Sequence, residues 1–204
     1  YIKNGYKILI LNLHPIQYNP LDNTINFFSE LSVSLDLTHE LNHQFLRPVS
    51  SDYQNILHIV DNPSMIQSYS TYVKPLKEES YDLLIITDES LKEEFQRLKQ
   101  YHDARGIFSK IVSIDEIDSA ITPEGTAEDI RAYIKKEYEN AGIQYVLLGG
   151  DTDIVPCKML YVHGLDEDQW SMQTTLPADF YFSCLDGVFN SDNDPRWGEP
   201  NDGE

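Results

Sequence analysis

The fold is decided by the stretch YDLLIIT at Tyr81–Thr87 and by a related one, YVLLGGD, at Tyr145–Asp151. Each contains a run of four apolar residues bounded by polar or turn-forming residues. Short apolar runs with such boundaries are typical of β-strands. The two stretches therefore predict the first and third strands of a sheet.

Between these strands the sequence alternates between helical and extended patterns. A helix that ends at Gly106 is predicted by apolar residues on one face, namely Leu91, Phe95 and Leu98. A strand at 108–113 follows, and then a second helix, which Thr126 and Asp129 open as a capping box. That helix presents Ile130, Tyr133, Ile134 and Tyr138 and ends near Gly142. The order βαβαβ predicts an α/β fold with a parallel sheet flanked by helices.

The first eighty residues show a different pattern. The run YKILILNL at 6–13 predicts a buried strand, and a second strand is predicted by the alternation of Leu31, Val33, Leu35 and Leu37 with polar residues. We therefore expect a β-rich segment that forms part of a β-sandwich. A short helix is predicted around Tyr53–Val60, and a connector leads to a domain boundary near Ser80.

Charge excludes some partners. The chain carries 34 acidic and 15 basic residues, a net charge of −19, which repels nucleic acid and anionic membranes. No segment has the apolar length needed to span a bilayer, and we expect no membrane span. From Asp151 onward, 12 acidic residues stand against only Lys158 and Arg196, and this density indicates a bound cation or a solvated acidic face.

Nucleotide binding is disfavoured by the turn after the first strand. That turn is Asp88-Glu89-Ser90, which lacks glycine and whose two acids would repel a pyrophosphate. Gly149 and Gly150 follow the third strand without a lysine-bearing helix start. We interpret them as a tight turn at the carboxyl edge of the sheet.

A calcium loop is predicted near the end of the chain. The predicted ligands present side-chain oxygens at closely spaced positions: Asp186, Asn190, Asp192, Asp194 and Glu199. Calcium takes six to eight oxygen ligands at flexible distances, which a looping backbone can supply. Pro195 stands where an EF-hand would have its turn glycine, so we expect a calcium loop of another type. The alternative is a merely solvated loop.

Cys157 and Cys184 are the only cysteines, and neither has the spacing of a zinc site or a disulfide framework. Apolar runs at 159–162 and 180–183 lead into His163 and Cys184, and both runs are predicted to be strands whose ends carry the two residues of a nucleophilic site. A thiolate paired with an imidazole could perform acyl transfer. The alternative is that both are bystanders, because free cysteines are usually small buried residues.

Several blocks, in order along the chain, resemble the gingipain-type cysteine peptidases. These blocks are YVLLGGD at 145–151, IVP at 154–156, ADFYF at 178–182, and LDG at 185–187 followed by the acidic loop. The stretch at 81–87 and the helix that ends in ARG at 104–106 resemble that family's first strand and helix. Residues 1–46 resemble its β-rich prosegment.

The resemblance implies a caspase-like, hence Rossmann-like, first subdomain at 81–204 that supports a catalytic subdomain and binds metal. The predicted domains are a prosegment-like module at 1–46, a connector with a short helix at 47–80, and this subdomain. In the family the catalytic histidine and cysteine follow the acidic loop, so His163 does not match. No catalytic residue is carried over to this chain.

Our leading hypothesis is an N-terminal fragment of a secreted or cell-surface cysteine endopeptidase, whose catalytic histidine and cysteine lie beyond Glu204. The fragment alone would be inactive; its partners would be the catalytic subdomain and, through the parent protein, protein or peptide substrates. The competing hypothesis is a non-enzymatic extracellular calcium-binding module on a peptidase-like scaffold. A third is a small active peptidase that uses His163 and Cys184.

Overall fold

The structure is a computed structural model that describes residues 1–36, 46–72, 75–76, 79–118, 127–165 and 171–202. Contacts divide the chain into two compact units, Tyr1–Lys74 and Pro75–Glu204, here called the N-terminal unit and the α/β unit. The finer division at residues 46 and 80 stays a prediction. Among the described residues, no helix has both the length and the apolar character that crossing a membrane requires.

The N-terminal unit contains two small antiparallel hairpins followed by helices. Strands β1 (Ile2–Lys3) and β2 (Tyr6–Lys7) form the first hairpin, and β3 (Ile16–Asn19) and β4 (Thr24–Phe27) form the second. Helix α1 (Ser50–Leu57) precedes a 3-10 helix at Pro63–Tyr72. A small core contains Tyr6, Leu46, Ile56 and Ile66.

A buried ion pair lies beside this core. The Arg47 guanidinium donates from Nε and Nη2 to the two carboxylate oxygens of Asp52 at 2.9 and 3.0 Å. Asn4 Nδ2 donates to the same carboxylate at 2.7 Å. Because both charged groups are buried and hydrogen-bonded, the pair joins the first hairpin to the start of α1.

Two strand predictions for the N-terminal unit are wrong. The predicted strand at 6–13 is reduced to Tyr6 and Lys7, and residues 31–36 form no strand; Leu37 lies outside the described residues. Leu9, Ile10 and Leu11 are exposed although the sequence predicts burial. An apolar run becomes a buried strand only where other strands cover it, and the described residues offer it no such neighbour. The predicted helix at 53–60 is present but begins earlier, at Ser50.

The α/β unit has the predicted alternation of strands and helices. Its elements, in chain order, are β5 (Leu83–Thr87), a 3-10 turn (Glu89–Leu91), α2 (Lys92–Asp103), β6 (Ser109–Ser113), α3 (Ile114–Asp118), α4 (Ala127–Asn140), β7 (Tyr145–Gly149), β8 (Met159–Leu165), β9 (Ser171–Pro177) and α5 (Phe180–Ser183). The predicted helix start at Thr126 lies outside the described residues.

The central sheet is parallel, with strand order β6-β5-β7. Strand β5 lies in the middle, and Leu84, Ile85 and Ile86 are fully buried because elements cover both of its faces. Helix α4 contributes Ile130 and Ile134 to the same core. The prediction of an α/β fold with a parallel sheet is confirmed.

The segment after the sheet differs in part from the expectation. Strands β8 and β9 form an antiparallel hairpin, as the apolar run at 159–162 suggested for its first strand. The strand expected at 180–183 is wrong, because these residues form the single helical turn α5. The reason is that Tyr181 and Phe182 are both buried, and a short apolar run does not distinguish a buried strand from a buried helical turn.

Gly149 and Gly150 form the predicted tight turn at the carboxyl end of β7. Gly150 has a φ of 154°, and a Cβ added there would lie 2.6 Å from the Cβ of Ile154. A side chain would therefore meet both backbone strain and a clash close to a neighbouring main chain.

Replacing Gly150 by alanine is expected to lower the free energy of unfolding by about 2 kcal/mol or more. The matched control is Gly164→Ala in β8, where an added Cβ would have no heavy atom within 4 Å. Urea unfolding of the two variants measures the difference. Equal stability of the two variants would contradict the assigned turn geometry.

Candidate metal centre in the acidic loop

The acidic loop, defined here as residues 185–202, is anchored at its start by Arg131 of helix α4. The guanidinium donates from Nη2 to the carbonyl oxygens of Cys184 and Gly187, at 2.6 Å each, and from Nε to Cys184 at 3.2 Å. It also lies 4.9 Å from the ring centroid of Tyr181 and 5.2 Å from that of Phe189. Because α4 belongs to the core, Arg131 connects the loop directly to the sheet unit.

The loop folds around an aromatic core of its own. Phe189 is fully buried, although its φ of 64° places it in the left-handed region that non-glycine residues seldom adopt. Its ring contacts those of Phe180 and Tyr181 edge-on, and Trp197 packs against Tyr181 in the same way. Burial of this cluster offsets the backbone strain and fixes the path of the loop.

The far end of the loop is held by Asp202 and by strand β8. The buried Asp202 carboxylate accepts hydrogen bonds from the backbone N–H groups of Gly198 and Glu199 at 3.0 and 3.1 Å. The carbonyl of Trp197 accepts from the backbone N–H of Tyr161 at 2.7 Å. The loop is therefore fixed at both ends.

Lys158 also holds the far end of the loop, through a contact with Trp197. Its ammonium lies 3.1 Å from the ring centroid of Trp197 and also pairs with Glu128 of α4. A cation over an aromatic face is attracted by the ring's quadrupole. Of the only two basic residues after Asp151, Lys158 therefore holds the tryptophan, whereas Arg196 pairs with Glu199.

Three of the five predicted ligands come together at that tip. Asp192, Asp194 and Glu199 each place a carboxylate oxygen within 4.8 Å of the others. The Oδ1 atom of Asp192 accepts from the backbone N–H of Asp194, and Oδ1 of Asp194 accepts from that of Arg196, at 3.2 and 2.6 Å. These turns point the carboxylates to one place at the cost of charge repulsion among them.

Asn190 and Asp186 have different surroundings. Asn190 Nδ2 donates to the carbonyl of Asp194 at 3.0 Å, while its Oδ1 is buried and has no hydrogen-bond partner. A buried carbonyl oxygen without a hydrogen-bond partner lowers the stability of the fold, so this atom suits a cation that prefers oxygen ligands. Asp186 is exposed, accepts from Cys184 Sγ at 3.7 Å, and lies outside the group of three carboxylates.

A cation bound in this loop would have to be a hard Lewis acid, one that prefers oxygen ligands. The donors are carboxylate and amide oxygens, which calcium prefers, and the group contains no thiolate or imidazole. The Arg196 guanidinium lies 3.5 Å from Glu199 Oε2 and only partly neutralises the three carboxylates. Asp192, Asp194 and Glu199 would hold the ion.

Cys184 has the environment of an unreactive thiol. Burial raises its pKa, and the carboxylate of Asp186 raises it further. His163 lies on β8, whereas Cys184 directly follows α5 and its thiol donates to Asp186. A reactive cysteine needs the opposite environment, one that stabilises the thiolate.

Sequence reasoning missed the residues that support the loop. Arg131 and Lys158 act through contacts with residues distant in the sequence, and Asp202 accepts hydrogen bonds from Gly198 and Glu199 within the loop. The apolar positions on either side of Arg131 predict only that its helix packs on the sheet. Nothing in the local pattern distinguishes it from a surface arginine.

The fold and the loop define the class of protein: an α/β unit with a parallel sheet that carries an acidic loop at the end of its described part. The family model for Peptidase family C25 matches residues 76–197, more than half of the chain. The chain belongs to Peptidase family C25. This finding confirms the resemblance to gingipain-type cysteine peptidases.

Two curated relatives give the scale of the similarity. Gingipain R2 of Porphyromonas gingivalis is 26% identical over 163 residues, which is 78% of this chain and 21% of that protein. Gingipain R1 of the same organism is 24% identical over 162 residues, 78% of this chain and 16% of that protein. The chain therefore spans about a fifth of the length of these relatives. No solved structure gives a significant match.

The raised pKa of Cys184 predicts slow alkylation. In a Cys157→Ser background, the rate of reaction with iodoacetamide should rise with pH around a midpoint higher than that of the urea-unfolded chain, because less thiolate is present at any given pH. Asp186→Asn should lower that midpoint, since it removes the neighbouring negative charge. A midpoint below that of the unfolded chain would instead indicate an activated thiol.

Proposed function

We propose that this chain is the supporting part of a secreted or cell-surface, gingipain-like cysteine endopeptidase. Its α/β unit stabilises a catalytic subdomain of the same protein, which supplies the catalytic histidine and cysteine. Protein or peptide substrates are bound by the whole peptidase. The family match over 76–197 carries this proposal, because it covers the sheet and most of the acidic loop.

Two further observations support a non-catalytic role for the chain itself. Burial and the neighbouring Asp186 carboxylate raise the pKa of the Cys184 thiol, which is unfavourable for a nucleophile. The names of the relatives are those of gingipains, and about four fifths of each lies outside the region of similarity. The rest of such a protein has ample length for a catalytic subdomain.

Residues 1–46 are proposed to act as a prosegment that precedes the peptidase. The region of similarity to the relatives is longer than the match to the family model and covers 78% of the chain. Similarity therefore extends about 30 residues beyond the 130-residue α/β unit. The assignment of residues 1–46 as a prosegment rests on the sequence resemblance of that segment. In this proposal the N-terminal unit accompanies the peptidase during export, and its four short strands belong to a β-sandwich.

Calcium is the proposed ligand of the acidic loop, held by Asp192, Asp194, Glu199 and Asn190. The ion would neutralise the three carboxylates and give Asn190 Oδ1 a partner. Because Arg131 and the backbone hydrogen bond between Tyr161 and Trp197 attach the loop to the rest of the α/β unit, binding at its tip would stabilise the unit as a whole. Its role in this proposal is structural.

Calcium should raise the melting temperature of the chain, and a chelator should reverse the effect. At a free concentration of 100 times Kd, binding adds about 2.7 kcal/mol to the free energy of unfolding. Asp194→Asn should abolish most of this effect, whereas the control Asp153→Asn removes an exposed carboxylate outside the group and should retain it. A melting temperature that changes with neither calcium nor chelator would contradict the calcium proposal.

The isolated chain should hydrolyse no peptide substrate, with or without calcium, because the proposed catalytic residues are supplied elsewhere. Cys184→Ser is the matched control and should behave identically to the unsubstituted chain. Hydrolysis that is lost on alkylation of Cys184 would overturn the supporting role and favour a small active peptidase.

A further inference from the structure

Arg196 contacts the proposed calcium site through both its main chain and its side chain. Its backbone N–H donates to Oδ1 of Asp194 at 2.6 Å, which helps to position that carboxylate. Its guanidinium Nη1 lies 3.5 Å from Oε2 of Glu199 and forms an ion pair with it. A positive charge that belongs to the loop itself is therefore paired with one of the three carboxylates that would bind the metal ion.

No second positive charge pairs with these carboxylates among the described residues. Lys158, the other basic residue after Asp151, lies against the ring of Trp197 and pairs with Glu128. The three carboxylates and Arg196 together carry three negative charges and one positive charge, a net charge of −2. The guanidinium therefore neutralises about a third of the local negative charge, and it does so at Glu199.

The guanidinium is not locked in this position. The Arg196 side chain is 58% exposed, and its separation of 3.5 Å from Glu199 is longer than that of a tight charge-assisted hydrogen bond. The ring centroid of Tyr161 lies 5.9 Å from the guanidinium carbon, within the range of a cation–π contact. The head group can therefore move from Glu199 toward Tyr161 while the backbone contact to Asp194 stays in place.

A guanidinium and a divalent cation compete for Glu199. Both are attracted to the same carboxylate, and two positive charges a few ångströms apart repel each other. A cation that enters the site must displace Arg196 from Glu199 or tolerate its charge, and either cost subtracts from the binding free energy. When no metal is bound, the same guanidinium lowers the repulsion among the carboxylates.

We propose that Arg196 is a built-in counter-ion of the acidic loop, which pairs with Glu199 in the metal-free state and sets the calcium concentration at which the site fills. This inference rests on the proposed calcium binding and adds its regulation. An internal competing charge raises the dissociation constant toward about 10⁻⁴–10⁻³ M, the range of extracellular calcium modules. The loop would then bind calcium at extracellular concentrations and keep its own counter-ion at lower ones.

The test is isothermal titration calorimetry of the full chain with calcium chloride at low ionic strength. Arg196→Gln removes the competing charge and should lower the calcium dissociation constant by roughly three- to tenfold, since an exposed charge is partly screened. Arg196→Lys keeps the charge. Because the pair is a single contact, lysine should replace arginine with a dissociation constant within about twofold of the unsubstituted value.

A matched control separates the local effect from the change in net charge. Arg97→Gln removes the same charge from an exposed position on α2 and should leave the dissociation constant unchanged. Melting temperatures give a second readout. Without calcium, Arg196→Gln should melt below the unsubstituted chain, because the carboxylates lose their counter-ion, and saturating calcium should raise its melting temperature by more.

The outcomes distinguish this inference from the calcium proposal on which it rests. Tighter binding by Arg196→Gln, with Arg196→Lys and Arg97→Gln unchanged, supports the role of Arg196. Equal or weaker binding by Arg196→Gln would overturn that role and leave calcium binding intact, as would an equal gain in Arg97→Gln. If none of the variants bound calcium, both proposals would fall.

Discussion

The position of β5 in the middle of the parallel sheet is the constraint on which the α/β unit depends. Its residues Leu84, Ile85 and Ile86 are fully buried, so both faces of the strand must be covered and both of its edges must be paired. Strands β6 and β7 meet the second requirement. Coverage of the faces of β5 makes α4 a core helix. The acidic loop, which Arg131 of α4 holds, takes its position from that packing.

The acidic loop shows how this constraint reaches a charged site. Arg131 extends from α4 to the carbonyls of Cys184 and Gly187, and the buried Phe189 fills the inside of the loop. Burial and hydrogen bonds thus hold the backbone, so that the carboxylates of Asp192, Asp194 and Glu199 can approach one another despite their charge. Carboxylates that the folded loop already holds close together favour binding of a cation, because the free-energy cost of bringing the ligands together has been met during folding.

The two units use their residues in opposite ways. The α/β unit carries most of the acidic charge and buries its apolar strands, whereas the N-terminal unit is almost neutral and exposes much of its apolar surface. Its internal stability comes from a few buried side chains and from the Arg47–Asp52 pair, a small core for its length.

The sequence by itself determined the βαβαβ order, the parallel sheet and the glycine turn after β7. It did so because runs such as LLII at 83–86 and helical spacings such as Ile130 and Ile134 are local signals of period and length. It also identified the family, from several blocks in order along the chain, and the oxygen-rich loop, from the spacing of Asp192, Asp194 and Glu199.

Only the tertiary structure decided which of these signals were satisfied. The runs at 6–13 and 31–36 have the pattern of strands, yet most of their residues stay exposed, because burial requires neighbours that the pattern does not name. Residues 180–183 form a helical turn because that conformation buries both Tyr181 and Phe182. The anchoring by Arg131 arises from contacts between residues more than fifty positions apart. The exclusion of Asp186 from the carboxylate group and the raised pKa of Cys184 depend on the path of the folded loop and on burial, which the order of residues alone does not specify.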